Sequence, residues 1–166
     1  QDNVYKAMQK LAEGFFADPS NGLTRSEGDL KAVQDNSMLL LYRLLFISYA
    51  ESRGLLDTSN RYYHDMSLQE MKKEIATRID TGGFLAPFSY AYWGKLNNLF
   101  NLINEGSESD RWRIDRNVFY IPAYNGGLFD PAKNTFLTTK HVSDPYLAEA
   151  LDLLARSEKA MVDYSS

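Results

Sequence analysis

No cysteine occurs among the 166 residues, which excludes disulfides, thiolate zinc sites and cysteine nucleophiles together. A chain with no thiols also suits a reducing cytoplasm, the location we expect for it. Histidine is nearly as scarce: His64 and His141 stand far apart with few ligand types around them, so neither argues for a metal centre. An excess of positive charge is missing too. With 18 Lys and Arg against 22 Asp and Glu, the net charge of −4 leaves no global footprint for nucleic acid, although a local basic patch remains open. The only long apolar run covers residues 37–50; it carries Arg43 and falls short of the roughly 20 residues a membrane span requires. No stretch of these residues reads as a signal peptide, low-complexity tract or internal repeat. The chain opens on Gln1-Asp2-Asn3 rather than methionine, and we expect a single domain over residues 1–166, cut from a longer polypeptide.

The chain does have helical periodicity. Val4, Tyr5, Met8, Leu11, Ala12, Phe15 and Phe16 predict a first amphipathic helix, broken by Asp18-Pro19-Ser20-Asn21-Gly22. A second helix should start at a Ser26 cap and run to Arg53, with Gly54 as its stop. Residues 38–50 within it are apolar on almost every face, which predicts a central helix enclosed by neighbours. Arg43 must then be paired internally, with a carboxylate or with loop carbonyls. Ser67-Leu68-Gln69-Glu70 matches a capping box for a helix that Thr81-Gly82-Gly83 ends. Another helix is expected over residues 89–105, and a last one entered through Pro145 with Ser143 or Asp144 as cap. The long connection at 107–142 is mixed polar and aromatic. Its best strand candidate is Val118-Phe119-Tyr120-Ile121, with Asn134-Thr135-Phe136-Leu137 as a short partner. The expected fold class is predominantly all-α: a multi-helix bundle around a central apolar helix, with a long ordered loop and at most a short β-hairpin.

Three segments invite a chemical reading. Tyr124-Asn125-Gly126-Gly127-Leu128-Phe129-Asp130-Pro131 sets two glycines between large anchors, which predicts a shaped loop pinned by Tyr124, Leu128 and Phe129. Arg111-Trp112-Arg113-Ile114-Asp115-Arg116 groups three guanidinium groups around an indole, a combination that contacts phosphates and stacks on bases or sugars. We take Arg111, Trp112, Arg113 and Arg116 as candidate contacts for DNA or a neighbouring domain. The bland alternative is a surface segment in which Trp112 covers the core and the arginines pair with Asp110 and Asp115. Asp65 with Glu70-Met71-Lys72 loosely outlines a nuclease site, where two carboxylates hold Mg²⁺ and a lysine steadies the attacking water. The spacing is short, however, and the segment reads as helix. Ile121-Pro122-Ala123-Tyr124 has the outline of an amino-methyltransferase turn but lacks the polar head that holds the exocyclic amine. The residues therefore name no catalytic group, cofactor site or metal site.

One resemblance gives these pieces a context. Leu41-Tyr42-Arg43-Leu44-Leu45-Phe46 and Tyr49-Ala50-Glu51-Ser52-Arg53-Gly54-Leu55-Leu56, then Tyr92-Trp93-Gly94-Lys95-Leu96 with Leu99-Phe100, then Tyr124 to Asp130 and finally Val162-Asp163-Tyr164, occur in a family-like order and spacing. Over roughly residues 3–166 the chain resembles the helical connector, or spacer, of type IIG restriction–modification enzymes and the similar phage-exclusion adenine-N6 DNA methyltransferases. The resemblance implies a non-catalytic segment of a cytoplasmic phage-defence protein. Its partners in cis would be a methyltransferase using S-adenosylmethionine and, in some parents, a Mg²⁺-dependent nuclease, with DNA held through the parent. Asp163-Tyr164 resembles the entry to the methyltransferase region. From another class, the alternative is a free-standing helical protein-binding module whose contact is the Gly-Gly loop.

Overall fold

The computed structural model describes residues 2–165, with side chains described as far as Lys159. Among the described residues seven α-helices follow in order: α1 (Asp2–Ala17), α2 (Glu27–Ser52), α3 (Arg61–His64), α4 (Leu68–Asp80), α5 (Ala91–Glu105), α6 (Thr135–Thr139) and α7 (Asp144–Ser165). A 3₁₀ turn over Pro19–Asn21 joins α1 to the segment before α2. No strand occurs among the described residues, and the all-α expectation holds.

Local chemistry explains the helix ends. The Ser26 hydroxyl accepts from the Asp29 amide to cap α2, and Gly54, at φ 75°, turns the chain away after Arg53. Ser67 caps α4 by accepting from the Glu70 amide, but the reciprocal half of the capping box is not made, because the Ser67 amide donates to the His64 carbonyl. A residue from another helix completes that cap. Glu51, in the last turn of α2, accepts from the Leu68 amide at 2.8 Å, the Gln69 amide at 2.9 Å and the Tyr63 hydroxyl at 2.7 Å. Asp144 does the same for α5, accepting from the Tyr92 amide while its own amide donates to the Ser89 carbonyl. That helix accordingly starts at Ala91, two residues later than the sequence pattern suggests.

Two helices, rather than one, organise the core. The most extensive pairing is α1 on α7; α7 also takes α4 and α5, whereas α2 packs against α1, α4 and α6. Leu147, Ala148, Ala150, Leu151 and Leu154 of α7 are all essentially inaccessible. Gly14 sets how closely α1 can approach: a β-carbon there would lie 2.6 Å from Val142 Cγ1 and 2.8 Å from Tyr146 Cβ. The predicted enclosure of α2 is only half realised. Leu40, Leu44 and Ile47 are buried, but Tyr42, Leu45 and Tyr49 remain 52, 36 and 61% exposed.

The two strand candidates are corrected. Val118 to Ile121 does alternate, with Phe119 and Ile121 buried and Val118 and Tyr120 exposed, but Val118 ends a turn. No ladder forms, because the Val118 and Phe119 amides turn back to the Asp115 carbonyl and Ile121 is held by Ser107. The supposed partner lies in α6 instead, where Phe136 meets Phe15 edge to face at 5.2 Å. Period-two alternation thus reports which side chains face the core and says nothing of pairing.

Candidate functional site

The Gly-Gly loop and α2 meet at one joint. Arg43 is 4% exposed, and its Nε donates to the Leu128 carbonyl at 2.8 Å, across 85 residues of sequence. Its guanidinium carbon lies 4.9 Å from the Phe100 ring centroid and 5.6 Å from that of Phe129. Of the two partner types expected for this arginine, the loop carbonyl is the one found. No carboxylate pairs with it among the described residues, and burial pushes the guanidinium down to about 10. Its Nη2 has no hydrogen-bond partner among the described residues.

Around this contact the loop is tied down by aromatic packing. Phe46 meets Tyr124 at 5.1 Å and Phe129 at 5.3 Å, while Tyr124 and Phe129 pack edge to face at 5.7 Å. Phe129 is buried, Tyr124 half-buried and Asn125 exposed. The two glycines serve different ends. Gly127 has φ 83°, where an L side chain is strained; at Gly126 a β-carbon would stand 2.4 Å from the Tyr124 ring. Asn134 holds the far end of the loop, donating to the Gly127 and Asp130 carbonyls.

The arginine-rich segment lies on the surface. Arg111, Arg113 and Arg116 are exposed, and Trp112 is half-buried against the core, with its indole N–H buried and without a partner among the described residues. The acids that meet these arginines are not the ones the sequence suggests. Arg111 pairs with Glu105 at 3.2 Å and Arg116 with Glu108 at 2.7 Å, while Arg113 donates to the backbone carbonyl of Asp110. The Arg116 hydrogen bond holds the Glu108 carboxyl below its usual range and raises Arg116 itself. Arg116 also lies 4.2 Å over the Tyr120 ring. Two of the three guanidinium groups of this segment are thereby paired with carboxylates within the fold.

Of the nuclease-like residues, Asp65 and Glu70 stay on one cleft with His64 between them, and Lys72 leaves it. Asp65 points to solvent beside His64, whose Nε2 lies 3.3 Å from Glu70 Oε2. Lys72 runs the other way, donating to Ser48 at 2.8 Å and Glu158 at 2.6 Å, and so joins α4 to α2 and α7. The cleft beside Glu70, about 480 Å³, is lined by both signs of charge: Asp65, Glu70 and Glu74 against Lys73, Arg78 and Lys95. No group of three or more metal-ligating side chains occurs among the described residues.

Two buried polar clusters escaped sequence reading. Asn21 donates to the Phe15 and His141 carbonyls and accepts from the His141 amide, clamping the turn after α1 to the chain before α7. Asp18 accepts from Ser20 and from the Tyr90 hydroxyl. Its burial by itself raises the carboxyl, but these donors outweigh burial and leave it below its ordinary value. Only the Asp-Pro-Ser-Asn-Gly turn signature hinted at either. No helix among the described residues is long and apolar enough to cross a membrane. Val162, Asp163 and Tyr164 continue α7, and their side chains lie outside the described residues. No family model, curated protein or solved structure matches the chain.

Proposed function

We propose that the chain is the helical spacer of a cytoplasmic restriction–modification protein. Its task is to fix the position of an adenine-N6 DNA methyltransferase domain, and of a nuclease domain where the parent has one, on a single DNA duplex. S-adenosylmethionine and Mg²⁺ belong to those domains. One observation carries the reading: two segments bearing the family resemblance, 41–56 and 124–130, converge on one joint. There Arg43 holds the Leu128 carbonyl and Phe46 packs on Tyr124 and Phe129.

Residues that build a stiff joint suit a spacer, since rigidity preserves the distance between two sites that a flexible link would blur. The same residues suit a loop-presenting binding module poorly, because the loop's phenylalanine turns inward. Arg111, Trp112, Arg113 and Arg116 remain the candidate contact with DNA or a flanking domain, Arg113 being the guanidinium among them with no carboxylate partner among the described residues. An antibody against the chain, applied to cells that make it, tests the proposal. A much larger native polypeptide yielding peptides with an adenine-methyltransferase motif downstream is the expected result. A native band corresponding to 166 residues would overturn the spacer reading.

A further inference from the structure

A groove between α1 and α2 takes no part in the spacer reading. Met8, Ala12 and Phe16 of α1 and Leu30, Val33 and Ser37 of α2 line a cleft of about 310 Å³, a volume within the range of small-molecule sites. Each set recurs at helical spacing, so the cleft runs along the helix axes, and Ala12 and Ser37 are too small to fill it. Two polar groups stand on this otherwise apolar lining. The first is Arg25, whose guanidinium carbon lies 4.3 Å from the Phe16 ring centroid, at the end where the chain turns from α1 into α2. No carboxylate pairs with it among the described residues, and the nearby Asp29 is taken by the Thr24 amide and hydroxyl at 2.8 and 2.9 Å. The second is Ser37, seven residues beyond Leu30 on the same helix. It is 0% exposed, yet its Oγ has no hydrogen-bond partner among the described residues, not even the carbonyl one turn back that a helical serine often takes. A buried hydroxyl left unpaired is costly, and the cleft it lines is where a partner can enter.

The two ends of the cleft say what fits it. A cation without a carboxylate partner selects an anionic head over a neutral one, the apolar walls select a hydrocarbon chain, and the buried hydroxyl selects an oxygenated tail over a bare methyl. Seven residues of helix separate Leu30 from Ser37 by about 10 Å, which an extended chain of about ten carbons spans. We infer that the cleft binds an amphiphilic carboxylate of about that length with a hydroxyl at its far end. The carboxylate sits on Arg25, the methylene chain lies against Met8, Phe16, Leu30 and Val33, and the terminal hydroxyl exchanges a hydrogen bond with Ser37. The inference is independent of the spacer reading, because it uses neither the resemblance nor the joint at Arg43.

Isothermal titration of the chain with ω-hydroxydecanoate, decanoate and the uncharged decanediol tests it. The hydroxy acid should bind with a submillimolar Kd, and decanoate and the diol should each bind about fivefold more weakly, the one for want of a hydrogen bond and the other for want of charge. Arg25→Gln, at an exposed position, should weaken both acids about fivefold and leave the diol unchanged. Ser37→Ala should erase the advantage of the hydroxy acid over decanoate while keeping the affinity for decanoate. It should not lower the melting temperature of the free chain, since it removes an unpaired hydroxyl. No binding of any of the three at millimolar concentration overturns the proposal, the result expected if protein rather than a small amphiphile fills the cleft. Equal affinity for acid and diol, carboxylate binding untouched by Arg25→Gln, or a hydroxyl advantage that survives Ser37→Ala overturns it equally. So does a Ser37→Ala chain that melts well below the parent, because the fold itself would then be using that hydroxyl.

Discussion

Truncating Arg43 sets the buried charge against the side chain that carries it. Burial, which pushes the guanidinium down to about 10, disfavours its ionised form by roughly 3 kcal/mol. Against this stand a charged hydrogen bond to Leu128, contributing about 1.5–3 kcal/mol, and stacking on Phe100 and Phe129 worth about 1–2. Arg43→Ala removes the penalty together with these contacts. It also strands the Leu128 carbonyl and leaves a cavity of the kind that costs about 2–5 kcal/mol in large-to-small substitutions. The net loss should be on the order of 3 kcal/mol. Arg43→Met keeps most of the stem packing and discards the charge, so its loss should stay under about 1.5 kcal/mol, as when buried ionic groups are replaced by apolar ones of like volume. Urea melts followed by tryptophan fluorescence separate the two. With a slope of about 2 kcal/mol/M, the alanine variant should melt near 1.5 M lower and the methionine variant within about 0.7 M of the parent. Exposed Arg113→Ala, expected to cost under about 1 kcal/mol, is the control. If methionine is as damaging as alanine, the charge itself holds the loop and the packing argument fails; if alanine is harmless, the joint has no energetic weight.

Gly127→Ala should lower stability by about 1 kcal/mol through its φ of 83°. Gly126→Ala should instead displace the Tyr124 ring, and if the proposed methyltransferase parent is correct both variants should slow its methylation without touching catalytic residues; unchanged melting and rate in both would detach the loop from function. Asp18 has a carboxyl held below 3.8 in the fold, so its stabilisation is complete above that pH and is lost as the pH falls through the lower folded value. Asp18→Asn should therefore lower the midpoint near neutrality and flatten the acid limb of a stability–pH curve, whereas parallel curves for parent and variant would remove Asp18 from the linkage.

Much of the secondary structure is local, and the sequence alone determined it. The stripe from Val4 to Phe16, the Ser26 and Ser67 caps and the Gly54 stop each act through neighbours within about one helical turn, so periodicity and turn chemistry suffice. That Arg43 must find an internal partner was equally legible, because a guanidinium in an apolar run has no cheap alternative. Which partner it found was not. Leu128 lies 85 residues away, and the Asn21 clamp to His141 spans 120. The same limit applies to the caps supplied by Glu51 and Asp144 and to the pairing of Arg111 and Arg116 with Glu105 and Glu108. Each looks ordinary in sequence and acquires its role from a separate segment that packing brings within reach. The misread strand marks the boundary most clearly, for alternation at 118–121 correctly reported which side chains face the core. A strand needs a second segment in register, and the segment expected to supply one joined the helices. Side-chain facing is a property of one segment and can be read from it, whereas pairing is a property of two and was decided only when the whole chain packed.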